Sequence, residues 1–169
     1  GSKANHLSYL GDAEIGAVFD QWNQGELQSY LIEITARALE QVDPDTGRPL
    51  VDLIVDKAGQ KGTGRWTLIN AAENAVVVST INAAVEARVL SSMRALRQVA
   101  ATQLQGPPAT LTMARSQLVT KVHEALYASK IISYTQGLDL LRTMGDKKAW
   151  GLDLGGIASI WRGGCIIRA

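Results

Sequence analysis

The sequence has one cysteine in 169 residues, four prolines, only 5% aromatic residues and almost no net charge. With Cys165 alone no intrachain disulfide can form, which excludes a disulfide-stapled secreted miniprotein and predicts a reducing, cytoplasmic home. No apolar run approaches the roughly 20 residues that span a bilayer. No basic, apolar, cleavable stretch stands at the N-terminus, so neither a membrane protein nor a secretory precursor is expected. The 17 Lys and Arg against 16 Asp and Glu leave a charge of +1, too little for a generic nucleic-acid binder. What is abundant is short apolar side chains. Hydrophobic residues make up 46% of the chain, enough for a packed domain and far from the composition of disorder. A β-sandwich would want more Val, Tyr, Phe and Thr, so the composition predicts an all-α fold, a multi-helix domain.

Gly1 and Ser2 read as a cloning remnant at the head of a leader over 1–11, with the helical domain expected over 12–169. Asp12 reads as a cap and Glu14 suits a positive dipole end, after which Ile15, Val18, Phe19 and Trp22 share one helical face. Gly25 interrupts, and a second helix is predicted over 26–42 from the spacing of Leu27, Tyr30, Leu31, Ile34 and Ala38. Asp43-Pro44-Asp45-Thr46-Gly47-Arg48-Pro49 is dense in turn formers. The run from Val51 to Val55 is too short to assign. Helices are predicted over 66–77 and over 80–101, the latter carrying Ile81, Val85, Val89, Met93 and Leu96 on one stripe. Gln105-Gly106-Pro107-Pro108 stops it. A long central helical region is expected over 112–144, then a helix-like tail over 153–169 holding Gly155, Gly156, Gly163 and Gly164. Glycine costs about 1 kcal/mol per helical position, so these pairs predict a close approach, by packing in preference to a ligand. The tail also stops without a capping signal, as if cut inside an element.

The unusual window is Lys57-Ala58-Gly59-Gln60-Lys61-Gly62-Thr63-Gly64-Arg65-Trp66, with three cations and no acid between Lys57 and Arg65, and glycines that alternate with donors. Backbone lacking Cβ can approach an oxyanion, Thr63 offers a hydroxyl and Lys61 a compact charge. Composition leaves this reading level with a plain surface loop of solvated lysines. A P-loop does not fit, because Arg65 and Trp66 replace the motif's Lys and Ser/Thr, and no third glycine at Thr67 completes a dinucleotide fingerprint. His6 and His123 form no metal pair. His123 reads as a satisfied or surface histidine and Cys165 as a small hydrophobe. Arg94 and Arg97 read as a solvated helix face. Arg88, beside Ala84, Ala87 and Val89, reads as an arginine that needs an anionic partner.

Three stretches resemble one known family. Phe19-Asp20-Gln21-Trp22-Asn23-Gln24-Gly25-Glu26-Leu27-Gln28-Ser29-Tyr30-Leu31-Ile32-Glu33-Ile34-Thr35 is the first, and Asp56 through Thr67 the second. Leu154-Gly155-Gly156-Ile157 with Trp161-Arg162-Gly163-Gly164-Cys165-Ile166-Ile167-Arg168 is the third. Together they are similar to 6-phosphogluconate dehydrogenase, the NADP-linked decarboxylating enzyme of the pentose phosphate pathway and gluconate utilization, over roughly 12–168. The resemblance implies a mostly helical domain that follows a Rossmann domain in an oxidoreductase converting 6-phosphogluconate to ribulose 5-phosphate and CO2. It carries the family's substrate-binding Lys and Thr onto Lys61 and Thr63, and its phosphate-gripping Arg onto Arg88 of Ala87-Arg88-Val89-Leu90-Ser91-Ser92.

The family's nucleotide domain, Lys base and Glu acid precede the matching region, and a tail giving Arg and His to the partner's site follows it. The chain is therefore expected to be a fragment that contributes to a substrate-phosphate site and a homodimer interface, inactive alone, without catalytic residues of its own. NADP belongs to the intact enzyme, with none expected on this fragment, no metal, no nucleic acid and no membrane. The expected ligand is 6-phosphogluconate or another phosphate or sulfate anion. Lys3-Ala4-Asn5-His6 mimics the family's Lys-x-x-His, but Leu7 and Leu10 replace its Asn and Glu, so that likeness reads as coincidence. The alternative of a different class is a non-catalytic helical oligomerisation module.

Overall fold

Residue 11, one position before the expected cap, starts the first helix. In the computed structural model, which describes residues 10–106 and 113–168, Gly11 is the N-cap of α1 (Asp12–Trp22) and its amide donates to Glu14 Oε2 at 2.7 Å. Asp12 is already helical there, placed in the first turn where a carboxylate suits the dipole. The cloning remnant, the Lys3-to-His6 likeness and Pro107-Pro108 lie outside the described residues.

Seven α-helices and no strand occur among the described residues, the all-α fold that composition predicts. Contacts divide them into two compact units, one from 10–55, 113–127 and 161–168, the other from 56–105 and 128–160. None of the helices is long and apolar enough to cross a membrane.

In the first unit α1 packs on α2 (Tyr30–Glu40). The second helix starts four residues later than its apolar spacing suggests, because 23–28 are tied into turns. Ser29 donates its amide to Asn23 Oδ1 at 3.1 Å and accepts from the Ile32 amide through Oγ, capping α2. Leu27, at helical spacing in the sequence, sits in that turn and is 1% exposed. With Trp22 and Ile32 it forms the core, lined by Val18, Phe19, Val119 and Tyr127. Residues 43–49 turn as expected, closed by a Val42–Pro49 bridge, and Leu50–Leu53 is a short 3-10 turn.

In the second unit α3 (Thr63–Glu73) begins three residues before its apolar pattern and ends at Asn74, where Ala75 takes φ +54°. The predicted helix over 80–101 is two, α4 (Ser79–Ser92) and α5 (Arg94–Gln103), broken at Met93 with ψ +49°. At the break Arg97 donates to the Leu90 carbonyl at 3.1 Å, which also accepts from the Met93 amide at 3.1 Å, and to the Ser91 carbonyl at 3.1 Å, so a guanidinium helps to close the last turn of α4. α6 (Arg115–Lys148), of which the part from Ala128 on belongs to this unit, runs 34 residues, through Gly145, which sequence pattern takes as a stop. A Cβ there would fall 2.9 Å from Leu152 Cδ1, so the glycine accommodates a neighbour. The tail is helical only as α7 (Leu154–Ile160). Its glycines have local reasons: a Cβ on Gly156 would meet the Asp153 carboxylate at 2.6 Å, and Gly164 turns at φ +68°.

α4 has no side-chain cap of its own at Val78. Gln136 from α6 supplies one. It is 9% exposed, its Oε1 accepts from the amides of Thr80 (3.1 Å) and Ile81 (3.2 Å), and its Nε2 donates to Ser79 Oγ at 3.2 Å. A buried amide so satisfied fixes where the helix carrying Arg88 starts.

Candidate anion-binding site

Residues 56–62 run without regular structure into α3, and four bonds tie them to α4 and α5. Arg97 donates from Nη1 to Asp56 Oδ2 at 2.9 Å and from Nη2 to the Asp56 carbonyl at 2.8 Å. The Ala58 amide donates to Ser91 Oγ at 3.1 Å. Arg88 Nε donates to the Gly59 carbonyl. This strap then reaches Gln60, Lys61 and Gly62, which with Arg65 line a concavity of about 290 Å³.

Two of the glycines in the window now have separate physical reasons. Gly62 is the N-cap of α3 at φ +94°, a left-handed conformation that strains a residue with a Cβ. Gly64 faces α4: a Cβ there would lie 2.8 Å from Val85 Cγ2, so it is required by helix packing. The sequence cannot distinguish that role from approach to a ligand, since both ask for the missing Cβ. At Gly59 no atom stands within 4 Å of such a Cβ.

Lys61 and Thr63 flank Gly62 and are both exposed, at the start of α3. The first amides of a helix have no intrahelical acceptor, and the Trp66 amide is the first to bond back, to the Gly62 carbonyl at 3.1 Å. Amides at this positive dipole end and a lysine ammonium are donors only, and the Thr63 hydroxyl can donate as well as accept, a set suited to an oxyanion. Arg88 differs from its sequence expectation. It is exposed, and its present partner is a strap carbonyl. The bond uses Nε, which leaves the Nη1/Nη2 edge for a bidentate contact.

Arg97 departs most from its reading as solvated surface, and Asp56, Ser91 and Arg65 were not anticipated as parts of the site. The Arg97 bond holds the Asp56 carboxyl below its ordinary value of 3.8; desolvation opposes this, and the charges of Arg97 and Arg94 add to it. The same bond raises Arg97. A carboxyl depressed in the fold adds stability above its unfolded value and loses it as pH falls through the depressed one. Amide protection factors over 57–60 are therefore expected to stay level through mildly acidic pH and to drop only below about 4. Hydrogen exchange followed by NMR across that range checks this, and a drop centred near neutrality would contradict it.

Two of the site's side chains accept hydrogen bonds, Asp56 from Arg97 and Ser91 from the Ala58 amide, and no cluster of three metal-ligating side chains exists among the described residues. His123 lies elsewhere, its ring edge-on to Trp22 at 5.5 Å in the first unit. Cys165 is half-buried and its thiol donates to the Trp161 carbonyl at 3.1 Å.

Residues 4–169 match the family model described as 6-phosphogluconate dehydrogenase, C-terminal domain. The decarboxylating 6-phosphogluconate dehydrogenase of Schizosaccharomyces pombe is 51% identical over 156 residues, covering 92% of this chain and 32% of that protein. That of Synechococcus elongatus is 51% identical over 163 residues, covering 95% and 35%. The solved structure of Plasmodium falciparum 6-phosphogluconate dehydrogenase, described in apo form and in complexes with NADP+ and 6-phosphogluconate, superposes with a TM-score of 0.89 at 43% identity. It is covered over 36% of its length by 97% of this chain. The chain thus spans about a third of the length of these relatives. A family model matched along nearly its whole length, joined to close relatives in sequence and in structure, means that this chain belongs to the 6-phosphogluconate dehydrogenase family, in its C-terminal domain.

Proposed function

We propose that this chain supplies part of the substrate-phosphate site and of the homodimer interface of a cytoplasmic, NADP-dependent enzyme that oxidises 6-phosphogluconate and decarboxylates it to ribulose 5-phosphate. One observation carries the reading: the strap at 56–62, bonded at Asp56, Ala58 and Gly59, sets Lys61 beside the amide end of α3 with Arg88 tied to the same strap. In this reading Lys61 holds a phosphate oxygen by charge, Thr63 donates its hydroxyl, and the free edge of Arg88 takes two oxygens as a fork. The chain's work is to bind and orient.

The dinucleotide does not fit these residues. Gly62-Thr63-Gly64 opens a helix, but no strand precedes it among the described residues and Thr67 stands where the fingerprint needs glycine. No hydride step is assigned to them, and the chain alone is inactive in this reading. The dimer part is supported by large apolar side chains left exposed along α4 and α5, among them Leu90, Leu96, Val99 and Leu104 just beyond.

Titration of the chain with 6-phosphogluconate, gluconate and inorganic phosphate by calorimetry tests the reading. Binding should need the phosphate, with gluconate silent, and no NADPH should form when NADP is added. Equal binding of gluconate would remove the phosphate site, and measurable turnover would remove the claim of inactivity. A dimer in light scattering with no anion binding would favour a pure oligomerisation module.

A further inference from the structure

We propose that Arg97 is a positioning residue for the anion site: its guanidinium joins the end of α4 to Asp56 and so fixes the strap that presents Lys61. The inference rests on the reading of Lys61, Thr63 and Arg88 as a phosphate site. One planar group makes four bonds, from Nε to the Leu90 carbonyl (3.1 Å), from Nη1 to Asp56 Oδ2 (2.9 Å), and from Nη2 to the carbonyls of Asp56 (2.8 Å) and Ser91 (3.1 Å). These acceptors come from two segments, 41 residues apart in the case of Asp56.

The geometry is specific to arginine. Two acceptors are carbonyls at the last turn of α4, that of Ser91 and that of Leu90, which also accepts from the Met93 amide. The other two are the side chain and backbone of the residue that opens the strap. A lysine ammonium has three donors on a point charge and cannot span the two pairs in one plane.

The consequence concerns position more than stability. Exposed ion pairs add little to folding, and the Asp56 side chain is 70% exposed against 35% for Arg97. The strap, however, has no ladder or helix to hold it, and its course is set by Arg97, Ser91 and Arg88. Arg88 and Arg97 stand on either side of the α4 terminus, so the helix that carries one phosphate ligand also registers the loop that carries another. Without Arg97 the strap samples other positions, and apparent affinity falls by the fraction of molecules in the competent one.

The test uses this chain with Arg97→Lys, Asp56→Ala and Lys61→Ala, reading 6-phosphogluconate affinity by calorimetry and amide exchange by NMR. Arg97→Lys should weaken binding roughly tenfold, the loss expected if about a tenth of molecules remain competent. Asp56→Ala should act in the same direction but less, because the backbone carbonyl still accepts. In both, exchange should quicken over 57–62 and return to the parent's protection at saturating 6-phosphogluconate, which a general loss of stability does not produce. If both bind as tightly as the parent while Lys61→Ala binds about tenfold or more weakly, the positioning role is wrong and the phosphate site stands. If Lys61→Ala binds as the parent does, the site reading fails and this inference with it. Should Arg97→Lys not fold, Asp56→Ala decides, since it leaves the bonds from Arg97 to α4 intact.

Discussion

Lys61→Ala is expected to weaken 6-phosphogluconate binding by about 10- to 100-fold, the loss of one charge-assisted hydrogen bond worth about 1.5–3 kcal/mol. Lys61 is exposed, so the variant should melt within the small range typical of surface changes, about 0.5 kcal/mol. Arg88→Ala should lose at least as much. It removes the fork toward the ligand and also the bond to the Gly59 carbonyl, so strap and ligand site loosen together. The two effects should therefore fall short of adding in the double variant, because both mutations act on one strap. Calorimetric titration of the four proteins measures this, and full additivity would mean that Arg88 does not act through the strap.

A second large effect is expected in the other unit. Leu27→Ala should destabilise by about 2–5 kcal/mol, the range for emptying a fully buried leucine site. Leu27 is 1% exposed and shares the small core with Trp22 and Ile32, which can close over the cavity only by moving the turn that Ser29 and Asn23 hold. Against a total stability of about 5–15 kcal/mol, that is a large share. Leu31→Ala, at a side chain 42% exposed, is the control and should cost far less. Urea unfolding followed by circular dichroism distinguishes them, and equal midpoints would show that the turn core does not carry the stability assigned to it.

Helical periodicity made the existence of the helices readable, and their ends were where the reading failed. Leu27 and Tyr30 fit a helical stripe equally well, yet one belongs to a turn, because the deciding contact is a hydrogen bond from Ser29 to Asn23 that carries no hydrophobic signal. Met93 looks like one more apolar residue on a stripe. At its break Arg97 donates to two carbonyls of the last α4 turn, and a side chain that reads as surface gives no hint of this. Gly145 shows the converse, a residue that normally interrupts helices kept inside one to make room for Leu152.

The candidate anion site is readable where its chemistry is local. Lys61, Gly62 and Thr63 are adjacent, and donors alternating with glycine have few other uses. Arg88 stood out by its neighbours, but its strap contact to Gly59 spans 29 residues and left no trace in spacing. Asp56 opened the recognised window without revealing that it is the point of attachment. Contacts of this separation are invisible to periodicity because each partner looks ordinary where it stands.

The cap that Gln136 places on α4 has a consequence for the order of events in folding. The amides of Thr80 and Ile81 wait for an acceptor 55 or 56 residues further along the chain. Closing so long a loop is an entropic cost met before the bonds return anything, and contacts of high sequence separation slow folding. On a ribosome, the first turn of the helix bearing Arg88 remains unsatisfied until α6 has been synthesised past its midpoint, so the unit that carries the proposed anion site is complete late, long after Lys61 and Arg88 have both emerged.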